Sequence, residues 1–191
     1  MLEKLPRAIG RALKHARPGL EKTLYFDEAL HAVPETLVLT SPTFDFEGAI
    51  PADFTADGPG LSPPVHWSNL PEEAAALVFV IEDADSPTPQ PLTHAIVYDL
   101  PPTLTGFAAG ALRSANHSGE AYAMGKNSRH TLEYLPPDPP PGHGVHRYVF
   151  QLYALDAATG VPDHPSKGDI KEALLDRVIS RGLLIGIYER P

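Results

Sequence analysis

Residues 136–144 run Pro-Pro-Asp-Pro-Pro-Pro-Gly-His-Gly, and this stretch limits the fold more than any other in the chain. Proline fixes φ and gives up its N–H, so neither a helix interior nor a central strand can pass through it. From Val145 the pattern switches to alternation. Val145, Arg147, Val149, Gln151 and Tyr153 share one parity; His146, Tyr148, Phe150, Leu152 and Ala154 share the other. In a strand of period two the second set lies on one face. That face is mostly large and apolar and is expected to point inward, with His146 and Tyr148 at its start beside a stiff loop. A rigid loop that delivers polar side chains to the rim of a core is a way to build a pocket.

The chain's 22 prolines and 15 glycines are scattered, which reads as turns in a loop-rich fold rather than as a disordered tract. Its 191 residues suffice for one domain with a proper core. There is no cysteine, which excludes disulfides and thiolate metal sites. A formal net charge of -9 argues against nucleic acid as the main partner. No apolar run is long enough to cross a bilayer. The basic N-terminus lacks the continuous apolar segment of a secretory signal, so a cytoplasmic location is expected.

Leu2, Leu5, Ile9, Leu13 and Ala16 recur at helical spacing. Lys4, Arg7, Arg11, Lys14 and Arg17 cover much of the remaining surface, and Pro18-Gly19 stops the helix. The expected role of the stripe is packing, onto the domain or onto a second copy of the chain. A basic amphipathic helix also suits peripheral membrane contact through residues 2–17. Residues 1–36 are therefore read as a basic amphipathic helix with its connector, and 37–191 as the main domain.

Farther on, Leu37, Leu39, Phe44 and Phe46 suggest short strands, Gly48-Ala49-Ile50-Pro51 a turn, and Ser62 to Pro71 an extended edge segment with Trp67 as a core anchor. Leu77 to Ile81 is a continuous apolar run, read as a strand buried on both faces. It ends in Glu82-Asp83-Ala84-Asp85-Ser86-Pro87-Thr88, and a second strand follows from His94 to Leu100. By themselves, Asp83 and Asp85 read as carboxylates that accept backbone N–H bonds in the turn. Gly106 to Gly125 reads as a small-residue loop. Ser166 to Asp169 fits a capping box, with Ile170, Ala173, Leu174 and Val178 on one helical face, Gly182 as the stop, and Leu183 to Tyr188 as a last strand. Mostly short strands with helices near the ends of the chain imply a β-rich sandwich decorated by helices.

Four stretches, in this order, resemble the phosphatidylethanolamine-binding protein (PEBP) family, and within it the bacterial, Raf-kinase-inhibitor-like branch. They are Gly48-Ala49-Ile50-Pro51 through Ser62-Pro63-Pro64-Val65-His66-Trp67; Asp83-Ala84-Asp85-Ser86-Pro87-Thr88 with His94; Pro136 to Leu155; and Gly186-Ile187-Tyr188-Glu189-Arg190. The ordered set is specific where each motif alone is weak. The resemblance implies an antiparallel β-sandwich with Greek-key features and a small cavity that accepts phosphate, acetate or a phospholipid head group. It implies Asp83, Asp85, His94, His146 and Tyr148 as cavity residues, with Pro137 and the Pro139 to Gly142 run as wall. This chain departs from the pattern at Ala84, at Leu92-Thr93-His94-Ala95, and at Arg129, His130 and Glu133. It departs again at Asp138, a carboxylate that weakens anion binding unless paired; Arg113, Lys126, Arg129 and Arg147 are the candidate partners.

The reading that follows is a non-catalytic protein that binds a small anionic ligand, phosphate or phosphoethanolamine-like, without a cofactor. The resemblance adds a protein partner such as a kinase or protease. A homodimer is expected because the first helix and Leu183-Leu184-Ile185 need cover. The alternative uses the same residues as a hydrolase with His94 or His146 as general base, or as a metal site from Asp83, Asp85, His94, His143 and His146. Neither G-x-S-x-G nor H-E-x-x-H occurs in the sequence.

Overall fold

The computed structural model describes residues 6–112 and 122–190. Every residue of β4 (Ala76–Asp83) is buried, as its apolar run demands, because the strand lies inside a sheet covered on both faces. Its neighbours are β5 (Leu92–Leu100) and β7 (His146–Leu155), both antiparallel to it. β8 (Val178–Tyr188) pairs antiparallel with β7, and the short β2 (Gly48–Ala49) adds in parallel at the edge, giving the order β2-β8-β7-β4-β5. A smaller antiparallel sheet has β3 (Val65–Ser68) between β1 (Val38–Thr40) and β6 (Gly106–Phe107). The long connection from β5 returns the chain beside β4, the crossing expected of a Greek-key sandwich.

Strand parity sorts the core into two layers. Between the sheets, Leu39, Val65, Trp67 and Phe107 meet Leu77, Phe79, Ile81, Phe150 and Leu152. Trp67 is the anchor here, with its ring 5.1 Å from Phe107 and 6.2 Å from Phe79 and its indole N–H donating to the Leu104 carbonyl. On the opposite face of the larger sheet, Val78, Val80, Ile96, Tyr153 and Leu155 pack against Ile170 and Leu174 of α2 (Lys167–Arg177), and Leu24 and Leu30 of the N-terminal segment join them. The inward face predicted for β7 is thus correct, and its other face is buried too.

Several elements differ from the sequence reading. Gly48-Ala49 is strand β2, not a turn, and β3 is the middle of its sheet, not an edge. Phe44 is buried, but Phe46 lies outside any strand and is exposed. α2 has the expected box, Ser166 with Asp169, but ends at Arg177 and passes directly into β8. Gly182 is inside that strand, where a Cβ would meet the Leu37 carbonyl oxygen at 2.3 Å. β6 opens the Gly106 to Gly125 stretch; residues 113–121, with Arg113, lie outside the described residues.

The first helix, α1, spans Arg7–Leu13. Leu2, Lys4 and Leu5 lie outside the described residues. Ile9 and Leu13 are 42% and 38% exposed, so among the described residues the stripe is not what docks the helix. Its buried residue is Gly10, seated on the Pro141 carbonyl and the His143 N–H. Leu184 and Ile185 are covered by the chain itself, which removes them from the grounds for a dimer. No helix among the described residues is long and apolar enough to cross a membrane.

Candidate functional site

The C-terminal end of β4, the start of β5 and the start of β7 open onto one end of the sandwich, and the proline-rich loop closes over it. Between them is a cavity of about 170 Å3 lined by Asp83, His94, His146, Arg129 and Asp138 together with Ser86, Pro87, Leu92, Ser128, Leu135, Pro136 and Pro140. Asp83 has the parity of Ile81 and reaches the cavity because β4 runs out of apolar residues there. His146 and Tyr148 arrive on the inward face of β7, as the alternation predicts.

His94 arrives by a different route. Simple alternation places it with Ile96 and Tyr98 on the far face of the sheet. The register slips between Ile81↔Ala95 and Glu82↔Thr93, so β5 holds one extra residue. A bulge of this kind re-aims a side chain, and here it turns His94 onto the cavity side. Its Nδ1 lies 2.5 Å from the Leu135 carbonyl oxygen, and its own carbonyl accepts from the Leu135 N–H. Its ring meets Tyr148 edge-on with centroids 5.3 Å apart. Among the described residues, His94 Nε2 and the Tyr148 hydroxyl are buried polar atoms without a hydrogen-bond partner. Such atoms are costly unless something fills the space they face. Burial pushes the His94 imidazole below its usual range, against the pull of Asp83. Burial, and then the Asp83 charge, raises the Tyr148 phenol well above its own, so the hydroxyl keeps its proton.

A second buried run leaves the cavity floor. Asp83 Oδ2 accepts from His146 Nδ1 at 2.8 Å, His146 Nε2 lies 2.7 Å from His143 Nδ1, and His143 Nε2 lies 2.9 Å from the Leu13 carbonyl. Gly142 and Gly144 flank His143 at φ 77° and 95°, values that only glycine adopts without cost, and so direct it inward. Arg17 staples the same loop, donating to the carbonyls of His143 and Val145 and standing 3.3 Å from Asp85.

The expected site residues therefore divide. Asp83, His94 and His146 line the cavity, and Tyr148 lies against both histidine rings. Asp85 does not line it. Its carboxylate takes the Arg147 guanidinium at 2.7 Å through both oxygens and the Arg147 N–H at 2.9 Å. Burial would raise this carboxyl, but Arg147 and then Arg17 outweigh it and hold it below the usual carboxylate range. Pro137 is not a lining residue either; its carbonyl accepts from the Ala56 N–H while Pro136 and Pro140 form the wall. Asp138 pairs with Arg190 at 2.9 Å, a partner the sequence reading did not consider.

The cation that reaches the cavity is Arg129, which the sequence suggested only as a counter-charge for Asp138. Buried Asn127 builds its loop, donating to Thr131 Oγ1 and the Glu133 carbonyl while its Oδ1 accepts from the N–H groups of Arg129 and Thr131. Ser128 Oγ accepts from the Thr93 N–H, tying that loop to β5 next to His94. Arg129 makes no ion pair among the described residues. No group of three or more His, Cys, Asp or Glu side chains among the described residues is arranged to hold a metal ion.

Comparison with known proteins gives concordant matches. The family model for phosphatidylethanolamine-binding protein matches residues 40–189. A UPF0098 protein of Methanothermobacter thermautotrophicus is 37% identical over 152 residues, covering 80% of this chain and 98% of the relative. Phomoidride biosynthesis cluster protein B of a fungal species is 33% identical, covering 99% of this chain and 96% of the relative, so that alignment includes the N-terminal segment. The crystal structure of a PEBP homologue, CT736 of Chlamydia trachomatis, superposes with a TM-score of 0.73 at 32% identity, covering 82% of this chain and 99% of that one.

Proposed function

The chain belongs to the phosphatidylethanolamine-binding protein family, and on that premise we propose that it is a non-catalytic binding protein whose cavity takes a small oxyanion, either phosphate or a phosphorylated head group. The observation that carries this reading is the balance of charge around the cavity. Asp83 is hydrogen-bonded to His146, and Asp138 is paired with Arg190. Arg129 is left as the lining cation without a partner among the described residues, and the buried Tyr148 hydroxyl is free to donate. A guanidinium lining the cavity, with an unpartnered hydroxyl buried against its histidine rings, suits an oxyanion.

Ser86 and Ser128 line the same cavity, but Ser86 Oγ bonds Thr88 Oγ1 and Ser128 Oγ accepts from the Thr93 N–H. Neither hydroxyl is bonded to His94 or His146, so nothing favours a hydrolase over a binder. A homodimer and a regulated protein partner belong to the same proposal, the dimer now resting on the half-exposed Ile9 and Leu13 of α1. Light scattering that returns a monomer mass across micromolar concentrations would remove the dimer.

The test of the pocket is thermal unfolding with and without phosphate, on the wild type and His146→Ala. A ligand that binds only the native state raises the midpoint by mass action. The expected result is a phosphate-dependent rise that the variant loses. No rise with phosphate, phosphoethanolamine or acetate in the wild type would retire the reading.

A further inference from the structure

A carbonyl oxygen can only accept a hydrogen bond. The Leu135 carbonyl lies 2.5 Å from His94 Nδ1, so the hydrogen of the neutral ring is on Nδ1. Nε2 then carries a lone pair. It is buried, unpartnered among the described residues, and belongs to a cavity-lining ring. The charged and titratable groups facing this ring are Asp83 from β4, His146 and Tyr148 from β7, and Arg129 from the loop before Leu135. The cavity therefore presents the Arg129 guanidinium and, beside Asp83, one buried acceptor, with the unpartnered Tyr148 hydroxyl packed behind the two histidine rings.

That polarity does not suit an anion that consists only of acceptor oxygens, because one of its lone pairs would face the lone pair of Nε2. We propose that the cavity selects an oxyanion that carries its own hydrogen-bond donor, with His94 Nε2 as the acceptor that reads it. This rests on the oxyanion reading above and adds a ligand class to it. Hydrogen phosphate meets the requirement through its P–OH; a phosphorylated amine meets it through its ammonium N–H. Sulfate and a fully ionised phosphomonoester bring no hydrogen. They enter only if His94 first takes up a proton and gives up its role as acceptor.

The experiment is isothermal titration of the wild-type protein at about pH 8, where phosphomonoesters are dianions, repeated in two buffers of different ionisation enthalpy so that protons are counted. Inorganic phosphate is expected to bind at least about tenfold more tightly than sulfate, because a site built around a hydrogen bond rejects the analogue that lacks it. Phosphate should bind without proton uptake, and sulfate and methyl phosphate with uptake of about one proton per site. Phosphoethanolamine binding above methyl phosphate assigns the donor to a head-group amine; parity between them assigns it to P–OH. Equal affinities for phosphate and sulfate with no proton uptake would overturn the inference and leave the oxyanion reading standing. Binding of none of these ions overturns both. His94→Gln, whose amide can turn either end to the cavity, should level phosphate and sulfate, and Arg129→Gln should weaken both while preserving their ratio.

Discussion

Left bare, Asp138 would repel the ligand proposed for this cavity. Arg190 removes that obstacle by pairing with Asp138 and with Asp57, so the carboxylate in the cavity wall is compatible with the proposed ligand. Arg129 is the complementary case, a cation placed without a partner among the described residues. Arg129→Gln should weaken phosphate binding by about 1.5–3 kcal/mol, the worth of a hydrogen bond to a charged group, with an unchanged thermal midpoint in the absence of phosphate; titration calorimetry and unfolding measure the two. Asp85 does structural work instead. Its pKa is depressed in the folded protein, so its contribution is fully present above the unfolded value of about 4 and is lost as the pH falls through the folded value. Asp85→Asn should cost about 2 kcal/mol at neutral pH, and denaturant titrations should show the gap closing in acid. His146 and Tyr148 were legible at this scale because strand parity is local, whereas Asp83 alone read as a turn carboxylate and joined the cavity only through family resemblance. The role of His94 was legible only through family resemblance, since the bulge that turns it inward leaves no mark in the alternation. The Arg190–Asp138 pair joins residues far apart in sequence, which no pattern records.

At the scale of elements, α1 shows how an apolar stripe can mislead. Ile9 and Leu13 are half exposed, while a glycine is the residue in contact. A Cβ on Gly10 would come within 2.1 Å of the Pro141 carbonyl oxygen, so the helix sits as close to the loop as backbone allows. Helix propensity favours Gly10→Ala by about 1 kcal/mol, whereas the contact opposes it. The prediction is that contact wins: the variant lowers the thermal midpoint and speeds amide exchange in α1 and around His143. A raised midpoint would show that the helix is not docked through Gly10. α2 was legible at its start because a capping box is a matter of adjacent residues. Its end was not, because Gly182, which reads as a helix stop, is the place where β8 passes under the Leu37 carbonyl.

Across the whole molecule, the family-matched residues 40–189 do not contain everything that shapes the cavity. Gly10, Leu13 and Arg17 hold the proline loop from outside, and the run from Asp83 through His146 and His143 ends on the Leu13 carbonyl. Deleting residues 1–17 should leave the sandwich folded, shown by an unchanged near-ultraviolet signal from Trp67. It should lower the thermal midpoint and weaken phosphate binding several-fold. Undiminished binding would make the arm a passenger.

The position of β8 has a consequence for how the protein is made. The strand lies between β7 and β2, so the larger sheet closes only when the last strand of the domain is available. A ribosome delivers β2 on the order of ten seconds before β8 at typical elongation rates. In the last few seconds of that interval, between the completion of β7 at Leu155 and of β8 at Tyr188, β7 lacks its partner, and its edge is a template for pairing with another nascent chain. Arg147, which interrupts the apolar run near the start of β7, and the prolines just upstream are positioned to blunt that edge while the chain waits. The loop that closes over the cavity would then also protect the unfinished sheet from its neighbours on the polysome.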